Sequence, residues 1–166
     1  MIISLAEAER AKNAYRRTNH RIVAGWRFLE NMLTKMMLGE DYIFNDILYF
    51  HKEAITTPSG FNMHYPEMHA TYNNRYEKYQ DFTYRNGHKR PHIYGGMLNE
   101  NIVQHLSRLV VGGQLLKIAE RYRIVSMTHD EAIYLARTRE ANQALKFGLK
   151  AFREPPDWCS DIPLDA

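Results

Sequence analysis

Val125-Ser126-Met127-Thr128-His129-Asp130-Glu131-Ala132-Ile133-Tyr134-Leu135 joins two runs of strand composition through adjacent acids, at the place where a hairpin would turn. The spacing predicts two short antiparallel strands with His129, Asp130 and Glu131 at the tip. A carboxylate taken out of water is costly unless it is paired, hydrogen-bonded or bound to a metal. Acids set between Ile124-Val125 and Ile133-Tyr134 therefore point to a divalent-cation ligand with oxygen donors. The bland alternative is a solvated turn, where Asp and Glu are ordinary residues.

Upstream of this stretch the hydrophobic period is helical. Asn101, Gln104 and Arg108 stand at i, i+3 and i+7 on a predicted helix, with Ile102, Val103, Leu106, Leu109 and Val110 on its other face. Amides on such a stripe can meet the acceptors common to all base pairs in a minor groove, and an arginine can meet phosphate. The same pattern also describes any exposed polar helix face. Downstream, a last helix is expected over about 140–152 with Ala141, Leu145, Leu149 and Phe152 inward.

At the other end of the chain, Ser4 and Glu7 form a capping-box pattern that opens a helix over about 5–17. A second helical run places Ile22, Trp26, Leu29, Leu33 and Met37 on one face and stops near Gly39. From Tyr42 to Tyr84 the runs Leu48-Tyr49-Phe50, Ile55-Thr56-Thr57, Met63-His64-Tyr65 and Phe82-Thr83-Tyr84 lean toward strand, separated by turn residues. The organisation expected is a helical hairpin over 1–40, a β-rich insertion over 41–92 and an α/β portion over 93–166.

A chain of 166 residues with 45% hydrophobic content can bury a core, as one domain or part of one. Its net charge of +3 is compatible with a polyanionic partner without requiring one. Cys159, the single cysteine, excludes an internal disulfide and fits a reducing compartment. No run approaches the 18 or so apolar residues of a membrane span, and the start lacks the features of a secretory signal. A cytoplasmic protein with no membrane partner is expected.

Three stretches together resemble one family. The His129-Asp130-Glu131 hairpin is similar to the third signature motif of A-family DNA polymerases, the relatives of bacterial DNA polymerase I. Tyr94-Gly95-Gly96-Met97-Leu98-Asn99-Glu100-Asn101-Ile102-Val103-Gln104 resembles the palm helix of phage members, and Pro155-Pro156-Asp157-Trp158 with Pro163-Leu164 resembles their closing segment. Ser4-Leu5-Ala6-Glu7-Ala8, Tyr15-Arg16-Arg17 and Pro58-Ser59-Gly60 extend the likeness along the chain.

The resemblance implies an α+β fold: part of a polymerase palm with a metal-site hairpin, preceded by residual fingers helices and a small antiparallel ribbon. It implies a two-metal magnesium site in which Asp130 is a ligand, Glu131 tunes the site and His129 lies near the primer terminus. Gln104, then Asn101 and Arg108, would contact primer-template DNA, and deoxynucleoside triphosphates would be the substrates. Two family motifs are not found: the Asp-Tyr-Ser strand with the second catalytic aspartate, and the cationic fingers helix that grips the triphosphate. The chain thus reads as the C-terminal part of a polymerase that needs an N-terminal partner half, in a phage-infected bacterial host. Its rival is a catalytically inactive polymerase remnant that binds DNA or a replication partner.

Other clusters carry less. Asp41-Tyr42 and Asp46 mimic the missing aspartate motif but lack its Ser, and read as loop acids. Eight histidines show no zinc-site spacing. Tyr72, Tyr76, Tyr79 and Tyr84 interleave with Arg75, Lys78 and Arg85, a composition that can stack on bases or simply face a half-buried ribbon.

Overall fold

The computed structural model describes residues 4–166, an α+β chain of four helices and three small antiparallel sheets. The start of the chain, 1–3, lies outside the described residues. Helix α1 (Leu5–Thr18) opens with the capping box: Ser4 Oγ accepts from the Glu7 amide, and the Glu7 carboxylate accepts from the Ser4 amide. Helix α2 (His20–Leu38) ends on Gly39 at φ +77°, a left-handed conformation that glycine adopts without penalty.

The chain gathers into two compact units, Met1–Ile102 and Val103–Ala166. In the first, four strands form a meander in the order β1-β2-β3-β4: β1 (Tyr42–Phe44), β2 (Leu48–His51), β3 (Ala54–Thr56) and β4 (Asn62–His64). A separate hairpin pairs β5 (His69–Asn73) with β6 (Lys78–Thr83). The β1–β2 loop is Asn45, Asp46 and Ile47; Asn45 and Asp46 both take positive φ, and the Ile47 amide donates to the Phe44 carbonyl at 3.0 Å. The sequence reading did not pick out β1, three apolar residues that are all exposed, or β5, whose His69, Thr71 and Asn73 break the apolar pattern.

The core of this unit joins Leu29, Met32, Leu33 and Met36 of α2 to Leu48, Phe50 and Ile55 of the meander, with Phe82, Ile93 and Leu98 closing it. Leu29 and Leu33 of the predicted α2 stripe are buried; at its ends the stripe differs, with Met36 buried where Met37 was expected and Ile22 46% exposed. The buried positions 29, 32, 33 and 36 form one i, i+3, i+4, i+7 face toward the meander.

Helix α3 (Gly95–Ala119) begins where a close approach demands glycine. A Cβ on Gly95 would collide with the Trp26 carbonyl of α2, while Glu30 accepts a hydrogen bond from the Gly95 amide at 2.6 Å.

The second unit contains the remainder of α3, the hairpin β7 (Arg123–Thr128) and β8 (Glu131–Leu135), and helix α4 (Ala141–Arg153). Its core is thin, with Ile118, Ala144 and Ala151 as its fully buried apolar side chains among the described residues. The inward stripe of α4 is Ala144, Gly148 and Ala151, which replaces the predicted Ala141, Leu145, Leu149 and Phe152. Leu145 is 57% exposed. The small residues turn inward because the Tyr134 ring occupies the space over Gly148.

Two substitutions separate these glycine roles. Gly95→Ala should lower stability by roughly 1–3 kcal/mol through the backbone collision. Gly113→Ala, in mid-helix with nothing within 4 Å of its Cβ position, should raise it by up to about 1 kcal/mol. Urea unfolding of both variants checks the opposite signs.

Candidate functional site

The β7–β8 register brings Thr128 opposite Glu131, leaving His129 and Asp130 as a two-residue turn. His129 takes φ +53°, a conformation uncommon for residues other than glycine but one that histidine visits more readily than most. A bulge falls between Ile124 and Ser126 on β7. His129, Asp130 and Glu131 are all exposed, so the desolvation premise drawn from the sequence does not hold for this chain. Their placement at a short, defined turn is what remains to recommend them.

What holds the turn is the far end of the hairpin. Tyr134 donates a hydrogen bond to the Ala144 carbonyl at 2.9 Å, its ring tilts against Tyr122 with centroids 5.6 Å apart, and it rests on Gly148. Burial, with a smaller contribution from neighbouring Tyr122, raises the Tyr134 phenol above its ordinary value, so it stays protonated and able to donate at neutral pH. The α3–α4 junction adds Gln114, 5% exposed, whose Nε2 donates to the Phe152 carbonyl at 2.7 Å. Outside it, Lys117 pairs with Glu154 at 2.6 Å.

Asp130 and Glu131 line an open cleft of about 630 Å³ with Ser107, Val110 and Gln114 of α3 and with Ile162 and Leu164 of the C-terminal segment. The closing Pro-Leu segment is thus a wall of the same cleft as the acids, a placement no sequence period foretold. On α3, Arg108 directs Nη1 to the Met127 sulfur at 2.8 Å, which sets this cation beside the hairpin. Gln104 is exposed one turn earlier on the helix. Asn101 belongs to the first unit, where its Nδ2 donates to the Tyr65 hydroxyl at 3.2 Å. The structure therefore gathers His129, Asp130, Glu131 and Arg108 at one hairpin and gives Asn101 a partner of its own.

Oxygen donors at the tip suit a hard cation such as magnesium, which takes one or two protein carboxylates and completes its shell with phosphate oxygens and water. No group of three or more His, Cys, Asp or Glu side chains among the described residues is placed to hold a metal ion. Among those residues no helix is long and apolar enough to cross a membrane. Compared with protein-family models, curated proteins and solved structures, the chain matches none.

Asp41 and Asp46, read as loop acids, flank β1; Asp41 accepts a hydrogen bond from Tyr49 at 2.6 Å. The residues that sequence reasoning missed are Tyr134 and Gly148, which brace the tip. Only an aromatic on the strand and a glycine in an amphipathic helix signalled them, and neither is distinctive by itself.

Tyr134→Phe, which deletes the hydroxyl donor and keeps the ring, should cost about 1 kcal/mol. His129→Val should cost about 1–3 kcal/mol because a β-branched residue resists positive φ, while His129→Gly should not destabilise. Urea titrations followed by circular dichroism read all three.

Proposed function

We propose that this chain is the C-terminal part of an A-family DNA-directed DNA polymerase and supplies the Asp130 half of its nucleotidyl-transfer site. The observation that carries the reading is an acid pair at the tip of a two-residue hairpin, braced at its base by Tyr134 and opening on a cleft. The order of the three family-like stretches along the chain supports it.

In the reaction, the primer 3′ oxygen attacks the α-phosphorus of a deoxynucleoside triphosphate and pyrophosphate leaves. Magnesium, when bound, would supply an acidified attacking hydroxyl and neutralised phosphate charge. Asp130 is the residue that would hold it, Glu131 the neighbour that tunes the tip, and His129 the group beside the primer terminus. Gln104 would meet the minor groove, and Arg108, fixed beside Met127, a backbone phosphate. On this reading the second carboxylate and the cationic helix that grips the triphosphate would come from the N-terminal partner half.

The hairpin itself supports an incomplete sheet. Val125, Ile133 and Leu135 are 56%, 57% and 58% exposed. Two strands alone are marginal in water, and a further strand would cover this apolar surface. A strand bearing the missing aspartate is the natural candidate.

The 166-residue chain alone should not extend a primer. Mixed with an N-terminal half that carries the missing motifs, it should do so. Asp130→Ala should then abolish extension while leaving the thermal midpoint unchanged, since an exposed tip residue is not core. Robust synthesis by the chain alone, or near-normal rates with Asp130→Ala in the mixture, would contradict the reading. DNA binding without any reconstituted synthesis would favour the inactive remnant.

The helix contacts have their own test in that mixture. Gln104→Ala should weaken primer-template engagement by about 1 kcal/mol with little change in salt dependence. Arg108→Ala should lower the slope of log affinity against log salt by about one unit. Fluorescence anisotropy across a salt series reads both, and unchanged affinity and slope in both variants would remove these residues from the DNA path.

A further inference from the structure

Within the Met1–Ile102 unit, an open cleft of about 690 Å³ is lined by α1, α2, β6 and the start of α3. Three of its side chains are cations, Arg16, Arg27 and Lys78, each exposed, and none enters an ion pair among the described residues. Elsewhere in the same unit cations are used structurally: Arg85 and Arg90 both pair with Glu67, and Lys35 pairs with Glu40. Two carboxylates share the cleft with the three cations: Glu30, which accepts a hydrogen bond from the Gly95 amide at 2.6 Å, and Glu100.

The cleft also presents ring faces. Tyr94 is 57% exposed, and Trp26 is half-buried with Tyr15 stacked on it at 6.3 Å and 17°. Gly96 sits against both rings: a Cβ there would lie 2.9 Å from the Tyr94 ring and 3.8 Å from Trp26. A glycine at this position lets the two aromatics approach the same stretch of helix.

We propose that this cleft binds single-stranded nucleic acid, with Trp26 and Tyr94 receiving unpaired bases and Arg16, Arg27 and Lys78 receiving phosphates. Exposed cations alone would accept any polyanion. Rings recessed among them favour a ligand with flat aromatic faces spaced between negative charges, and a duplex keeps those faces inside its own stack. An acidic peptide would satisfy the cations and leave the rings unused. This site is independent of the Asp130 reading: it lies in the other unit, and its test uses no polymerisation.

The test is anisotropy of a fluorescent thymidine 12-mer with the full chain over a salt series. Trp26→Ala should weaken binding about tenfold, and Trp26→Phe should restore most of it, since base stacking tolerates a change of ring. Arg16→Ala and Arg27→Ala should each lower the log–log salt slope by about 0.7, the value per phosphate for a single strand. Arg10→Ala, on an exposed cation outside the cleft, should lower affinity much less. Because Arg16 and Arg27 are exposed, their variants remain informative if Trp26→Ala fails to fold. The proposal is overturned if a blunt duplex or a glutamate peptide of equal charge binds as tightly as the strand. Arginine variants that change neither affinity nor slope would overturn it equally.

Discussion

The packing of Tyr134 on Gly148 is the constraint on which the hairpin depends. A two-stranded ribbon has no stability of its own to spare, and here one aromatic ring at its base makes the contact that fixes it to a helix. Gly148 follows from that contact, because a Cβ there would collide with the ring hydroxyl. With Gly148 facing the ring, Leu145 of the same helix is 57% exposed. Once the base is fixed, the two-residue turn has little freedom, and Asp130 is carried to the edge of a cleft.

Each unit joins a firm part to an open one. In the first, α2 packs Leu33 and Met36 against the meander with no exposed surface, whereas α1 buries no residue fully and leaves Leu5 81% exposed. In the second, the core of Ile118, Ala144 and Ala151 is supplemented by polar ties such as Gln114 to the Phe152 carbonyl. A thin core with apolar residues left outside is what a segment that completes its packing on another polypeptide presents. That is the physical sense in which the proposed polymerase reading and the energetics agree.

Much of this fold was legible because local rules and tertiary packing coincide. The Ser4–Glu7 capping box, the stop at Gly39, the long helix after Tyr94 and the turn at His129-Asp130 all formed where short-range chemistry directs. The failures share a different cause. The inward face of α4 and the ends of the α2 face were misread because helical periodicity locates a stripe only to within one position, and the partner decides which neighbour is buried. The acids of the tip were legible as a site but not in their environment, since exposure is a property of the assembled hairpin. Neither the bracing by Tyr134 nor the cleft of Arg16, Arg27 and Lys78 has a local signature: both bring together residues far apart in the chain.

The central claim is that Asp130 is a metal ligand in a site completed from outside these residues. It is tested most directly by the anomalous scattering of manganese in crystals of the assembled enzyme with primer-template and a non-hydrolysable triphosphate. The account predicts a manganese peak within coordination distance of the Asp130 carboxylate, shared with a carboxylate of the complementing half and with triphosphate oxygens. Manganese bound to the triphosphate with the Asp130 tip standing away in solvent would contradict it.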